Sequence, residues 1–65
     1  MITVNNKKIE WIEGETVEEL LKRLKYVFPV VIVKINGEII PMKNHSTTII
    51  PDNTKIDIIP MISGG

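Results

Sequence analysis

Apolar and polar residues alternate at the start of the chain, with Ile2 and Val4 set against Thr3 and Asn5 and a second alternation running from Lys8 to Ile12. Between them lies the turn-rich step Asn5-Asn6-Lys7, so this period of two predicts an opening β-hairpin. Glu13-Gly14-Glu15 breaks the pattern. Thr16-Val17-Glu18-Glu19 then has the form of a capping box, in which the Thr16 hydroxyl accepts from the Glu19 N–H while the Glu19 side chain reaches back. Val17, Leu20, Leu21 and Leu24 follow at i, i+3, i+4 and i+7, one apolar stripe on a helix. Glu18/Lys22 and Glu19/Arg23 are spaced as i,i+4 pairs on its solvated side. Phe28 precedes Pro29 and is pushed toward an extended conformation, which predicts that the helix stops near Lys25 or Tyr26.

Val30 to Ile35 is a nearly continuous β-branched run in which Val31, Val33 and Ile35 share one face and Val30, Ile32 and Lys34 the other. Asn36-Gly37 supplies the two positive-φ residues of a type I′ turn and returns the chain into Glu38-Ile39-Ile40, until Pro41 ends the pairing. Met42 to Thr48 reads as polar and irregular, Ile49-Ile50 as a brief extended piece, and Pro51 to Thr54 as a turn with Asn53 in the left-handed region. Lys55 to Met61 is the last strand, with Ile56 and Ile58 on one face and Asp57, Ile59 and Met61 on the other. The order is hairpin, helix, hairpin, final strand. An α+β fold is expected, a mixed sheet of four to five strands with one helix on one face and the final strand placed centrally and parallel to the first.

Composition narrows the range of functions. The chain has 65 residues, enough for one domain spanning 1–65, and its 13 Ile, 6 Val and 3 Leu with no Ala favour a sheet. Eight basic residues balance eight acidic ones, and Lys7-Lys8 is only a pair, so no nucleic-acid partner is expected. No apolar stretch approaches a membrane span and no signal-peptide pattern opens the chain, which predicts a cytoplasmic protein without a membrane partner. Without cysteine and with a single histidine, thiolate metal sites and cysteine nucleophiles are excluded, and no metal site is expected. His45 stands alone in Lys43-Asn44-His45-Ser46 and reads as a solvated loop residue. Ser46 and Ser63 have no base at hand. Glu10, Glu13 and Glu15 have no ligand-ring spacing and read as surface charge. Trp11, Tyr26 and Phe28 are expected in the core. No catalytic residue is assigned, and the chain reads as a binding or carrier module rather than an enzyme.

The C-terminus holds the remaining chemistry. Gly64 and Gly65 follow Met61-Ile62-Ser63 directly after a strand. A frayed end is the plain reading of such a terminus. The chemical reading is a thin, flexible arm, residues 62–65, that threads a narrow channel and presents a carboxylate to another protein's active site. That carboxylate is an unreactive anion at neutral pH until another enzyme converts it to a mixed anhydride. The helix also covers only one sheet face, leaving Val30, Ile32, Ile59 and Met61 on the other as a docking patch centred on Ile59, Met61 and Ile62. The competing reading is that long side chains such as Lys34 cover this face.

Thr16-Val17 with Leu20-Leu21, the hairpin Ile35-Asn36-Gly37-Glu38-Ile39-Ile40-Pro41, and the tail Ile62-Ser63-Gly64-Gly65 together resemble the ThiS family, ubiquitin-like sulfur carriers of thiamine biosynthesis. The resemblance covers essentially the whole chain and implies a β-grasp fold. It implies that Gly65 is adenylated by an ATP-using activating enzyme of the ubiquitin-activating type, then converted to a thiocarboxylate with sulfur from a donor such as a cysteine desulfurase. Thiazole synthase would take the sulfur. Gly64 would give the tail clearance and Ile62 and Ser63 would line the partner's channel, with no cofactor bound to the carrier itself. Two positions depart from the common pattern: Met42 stands where many members have a basic residue, and Asn53-Thr54 where many have Gly-Asp. The molybdopterin-synthase small subunit, carriers for tRNA thiolation and ubiquitin-like protein modifiers share the tail and are the alternatives.

Overall fold

The computed structural model describes residues 1–26 and 30–61. The opening alternation forms β1 (Ile2–Val4) and β2 (Lys7–Ile9), antiparallel partners with Val4 opposite Lys7. Asn5 and Asn6 make the two-residue loop with φ of 49° and 69°, the left-handed pair that a type I′ turn requires. The second strand is shorter than Lys8 to Ile12 because tertiary partners draw the chain out of the sheet. The Glu10 carbonyl accepts from Arg23 Nη2 at 2.9 Å, and Trp11 Nε1 donates to the Ile50 carbonyl at 2.8 Å.

Helix α1 (Val17–Arg23) starts as its sequence dictates: Glu19 N–H donates to Thr16 Oγ1 and Glu19 Oε1 accepts from Thr16 N–H. Its remaining free N–H groups are also satisfied, Val17 donating to the Thr48 carbonyl and Glu18 to that of His45. The helix ends earlier than expected and by a different device. Lys25 adopts a φ of 62°, while Tyr26 N–H donates to the Leu21 carbonyl and Lys25 N–H to that of Lys22. This is a Schellman motif with lysine in the position that glycine usually fills. The Phe28-Pro29 step and the tail at 62–65 lie outside the described residues.

Strand β3 (Val30–Ile35) turns through Asn36 and Gly37, at φ of 50° and 85°, into β4 (Glu38–Ile40). Met42–Asn44 is a single 3-10 turn, Ile49 bridges to Thr16, and the chain closes with β5 (Lys55–Met61). The sheet order is β2-β1-β5-β3-β4, with β5 central, parallel to β1 and antiparallel to β3. This five-stranded mixed sheet with one helix is a β-grasp. Ile2, Val4, Val31, Val33, Ile56 and Ile58 meet Val17, Leu20 and Ile50 in the core between sheet and helix, each at most 5% exposed.

Five side chains are placed differently from their expected roles. His45 is buried, its Nε2–H donating to the Ile40 carbonyl at 3.1 Å, because its own carbonyl caps the helix and draws the loop inward. Glu15 is also buried and takes a two-pronged ion pair from Arg23, both N···O distances being 2.9 Å. Arg23 therefore bonds the residue that precedes the cap rather than Glu19, whose carboxylate serves the capping box. Trp11 and Tyr26 pack at the margin of the core, half-buried rather than enclosed.

Candidate functional site

Two of the expected docking residues come from β3 and two from β5, and register decides whether they meet. Val30 lies directly opposite Met61 and Ile32 opposite Ile59. Directly opposed side chains share a face with Cβ atoms about 5 Å apart, so the four form a two-by-two apolar block. Val30, Ile59 and Met61 are 45%, 42% and 47% exposed, and Ile32 is half-buried. Lys34, next along β3 and opposite Asp57, is itself half-buried but leaves those three open.

Ile39 was not among the expected residues, yet it faces the same way, opposite Lys34 on β4, and is 59% exposed. The signal for it is the Asn36-Gly37 turn. A two-residue loop pairs Ile35 with Glu38 and therefore Lys34 with Ile39.

The block sits where β5 leaves the sheet, with Met61 immediately before Ile62. Here β5 has outrun β1. Thr3 and Asn5 N–H groups donate to the carbonyls of Thr54 and Ile56, and the Asn5 side chain then bonds both Ile58 N–H and its carbonyl, at 2.8 and 3.2 Å. A side-chain amide thus stands in for the next residue of β1, held in turn by Tyr26 Oη at 3.2 Å. Pro60 follows in the same alternation, so its missing N–H falls beyond the last β1 partner and costs no ladder bond. Ile62, Ser63, Gly64 and Gly65 lie outside the described residues, so the structure places the expected docking residues but not the tail. Among the described residues no group of three His, Asp or Glu side chains is arranged to hold a metal ion.

Residues 2–65 match the model of the ThiS family. The chain belongs to the ThiS family. The crystal structure of the thiamine biosynthesis protein ThiS from Geobacter metallireducens superposes with a TM-score of 0.78 at 29% identity, covering 98% of this chain and 97% of that one. A solution structure of a thiamine biosynthesis protein from the same organism gives 0.77 at 30% identity, covering 98% and 86%. The β-grasp of this ThiS-family chain is therefore the fold of those proteins as well. No described helix is long and apolar enough to cross a membrane.

Proposed function

We propose that this ThiS-family chain is a sulfur carrier of thiamine biosynthesis and is not itself an enzyme. Family membership supports the reading, together with the Gly64-Gly65 pair that follows the open apolar block in the sequence. In the proposed reaction an activating enzyme directs the Gly65 carboxylate onto the α-phosphate of ATP, releasing pyrophosphate and leaving an acyl adenylate. The terminal sulfur of a persulfide on a donor such as a cysteine desulfurase then displaces AMP to give an acyl disulfide. A thiol of a partner enzyme attacks the donor's sulfur, reducing the S–S bond so that the thiocarboxylate leaves and a disulfide forms between that thiol and the donor cysteine. Thiazole synthase takes the sulfur. Gly64 keeps the arm narrow, and Ile62 and Ser63 lie along the partner's channel. Val30, Ile32, Ile59 and Met61 seat the domain on its partner by burying apolar surface. A cytoplasmic setting, where ATP is available, is part of the proposal.

Intact mass of the protein after incubation with ATP, the activating enzyme and a sulfur source tests the proposal. The expected change is one oxygen replaced by one sulfur at Gly65, abolished when a residue is appended after Gly65. An unchanged mass, with an enzyme that loads another carrier, overturns it. Conjugates on lysines of other proteins would instead mark a protein modifier.

A further inference from the structure

The outer sheet face has a second zone, at the end of β5 opposite the tail. Lys8, Thr3 and Lys55 lie in one row across β2, β1 and β5, since Thr3 is directly opposite both lysines. Paired residues share a face, so both lysine side chains flank Thr3 on the face that carries the apolar block. The three residues line a half-open hollow of about 360 Å³, with Asn36 and Asn53 also in its wall. Those asparagines sit in the left-handed turns that close either end, at φ of 50° and 59°.

No carboxylate lines this hollow, and neither Lys8 nor Lys55 has an ion-pair partner among the described residues. Of the two acids nearest the row, Asp57 lies opposite Lys34 and Asp52 is otherwise engaged. Asp52 accepts from the chain amino group at 2.7 Å and from Asn53 N–H at 2.8 Å, and the bond to the amino group holds its carboxyl below the usual range. The chain as a whole is neutral, but among the described strand residues the outer sheet face presents Lys8, Lys34 and Lys55 against Asp57 alone.

We propose that the Lys8-Thr3-Lys55 row is a docking site for an extended acidic segment of a protein partner. Strand spacing puts the two lysine backbones about 10 Å apart, while alternate carboxylates of an extended segment are about 7 Å apart, a gap that flexible lysine stems close. The Thr3 hydroxyl and the asparagine amides supply neutral bonds between the charges. Two lysines on a neutral protein are too few for a nucleic-acid backbone. Four residue steps along β5, about 13 Å, take the chain from Lys55 to Ile59, so a partner seated on the apolar block reaches this row as well.

The test needs neither ATP nor the tail, so its outcome is independent of the carrier chemistry. A capped hexaglutamate peptide is titrated into the isotope-labelled protein and amide shifts are followed by NMR, with hexaglutamine as the control. Saturable shifts are expected at Thr3, Lys8, Asn36 and Lys55, weakened about tenfold or more in the Lys8→Glu/Lys55→Glu variant and retained in Lys8→Arg/Lys55→Arg. Both lysines are exposed, and an unchanged melting temperature verifies that the variants fold. Equal shifts around Lys22, Lys25 and Lys43 would reduce the effect to general attraction and overturn the site. Inorganic phosphate that saturates the same amides as tightly as the peptide would make it a small-anion site and overturn the acidic segment.

Discussion

Ile58 and Ile59 are consecutive, carry the same side chain and belong to the same strand, yet Ile58 is 3% exposed and Ile59 42%. Every other residue of β5 turns toward α1 and joins Val17, Leu20 and Ile50. The residues between them face out with Val30 and Ile32, and no described element covers them. Apolar area on the inner face stabilises the fold, at about 25 cal/mol per Å² buried. The same kind of area on the outer face stays open to solvent and contributes little to the fold. On the docking proposed above, one strand separates stability from recognition by the pleat alone, and substitutions on the two faces should act on different measurements.

The largest effect is expected on the inner face. Leu20 is fully buried, and Leu20→Ala should cost about 2–5 kcal/mol, comparable to the whole stability of a domain this small. Ile56→Val, at about 0.5–1.5 kcal/mol, keeps the effect measurable if the first variant does not fold. Urea denaturation checks both, and a cost below a few tenths of a kcal/mol for each would break the comparison. Next comes the ion pair beside the helix. Arg23→Ala leaves Glu15, 7% exposed, without its partner, and roughly 2–4 kcal/mol should be lost, discounted from a fully buried pair because the Arg23 side chain is 30% exposed. Adding Glu15→Gln removes the stranded charge and should recover part of that loss in the same experiment.

Those two positions also mark where sequence reasoning stops. Thr16 with Glu19 and Asn36 with Gly37 were legible because each acts within four residues, and the strand faces were legible because the pleat has a period of two. Glu15 reads as surface charge because its partner is eight residues away and a helix has to form before they meet. His45 reads as solvated because both its Ile40 bond and its helix-capping carbonyl depend on the folded loop. Asn5 reads as a plain turn residue, although its amide extends β1 to reach Ile58, 53 positions on. At the candidate site, alternation sorts Val30, Ile32, Ile59 and Met61 onto one face, but only the β3–β5 register makes them a block. The Lys8-Thr3-Lys55 row needs the parallel β1–β5 pair and has no local signal.

A smaller change should strengthen the inner face instead. Lys25 holds a left-handed φ of 62° at the end of α1, where a residue with Cβ is strained and glycine is not. Lys25→Gly should stabilise by up to about 1 kcal/mol, which for a domain of this size raises the melting temperature by about 4–8 °C. A lower melting temperature would mean that the lysine side chain contributes more than its backbone strain costs.

The smallest effect on stability is expected where the effect on function is largest. Met61→Glu puts a charge on the 47%-exposed outer corner, where water still solvates it, and stability should change by no more than about 0.5 kcal/mol. Against a partner surface that charge has to be desolvated opposite apolar groups, so formation of the Gly65 adenylate should slow, measured as pyrophosphate release at subsaturating carrier. Saturating carrier should restore most of the rate, because the substitution acts on seating the domain and leaves the carboxylate untouched. An unchanged rate at low carrier would remove Met61 from the docking surface. A large loss of stability would show that the outer face shares in the fold, and the division of labour between Ile58 and Ile59 would then fail.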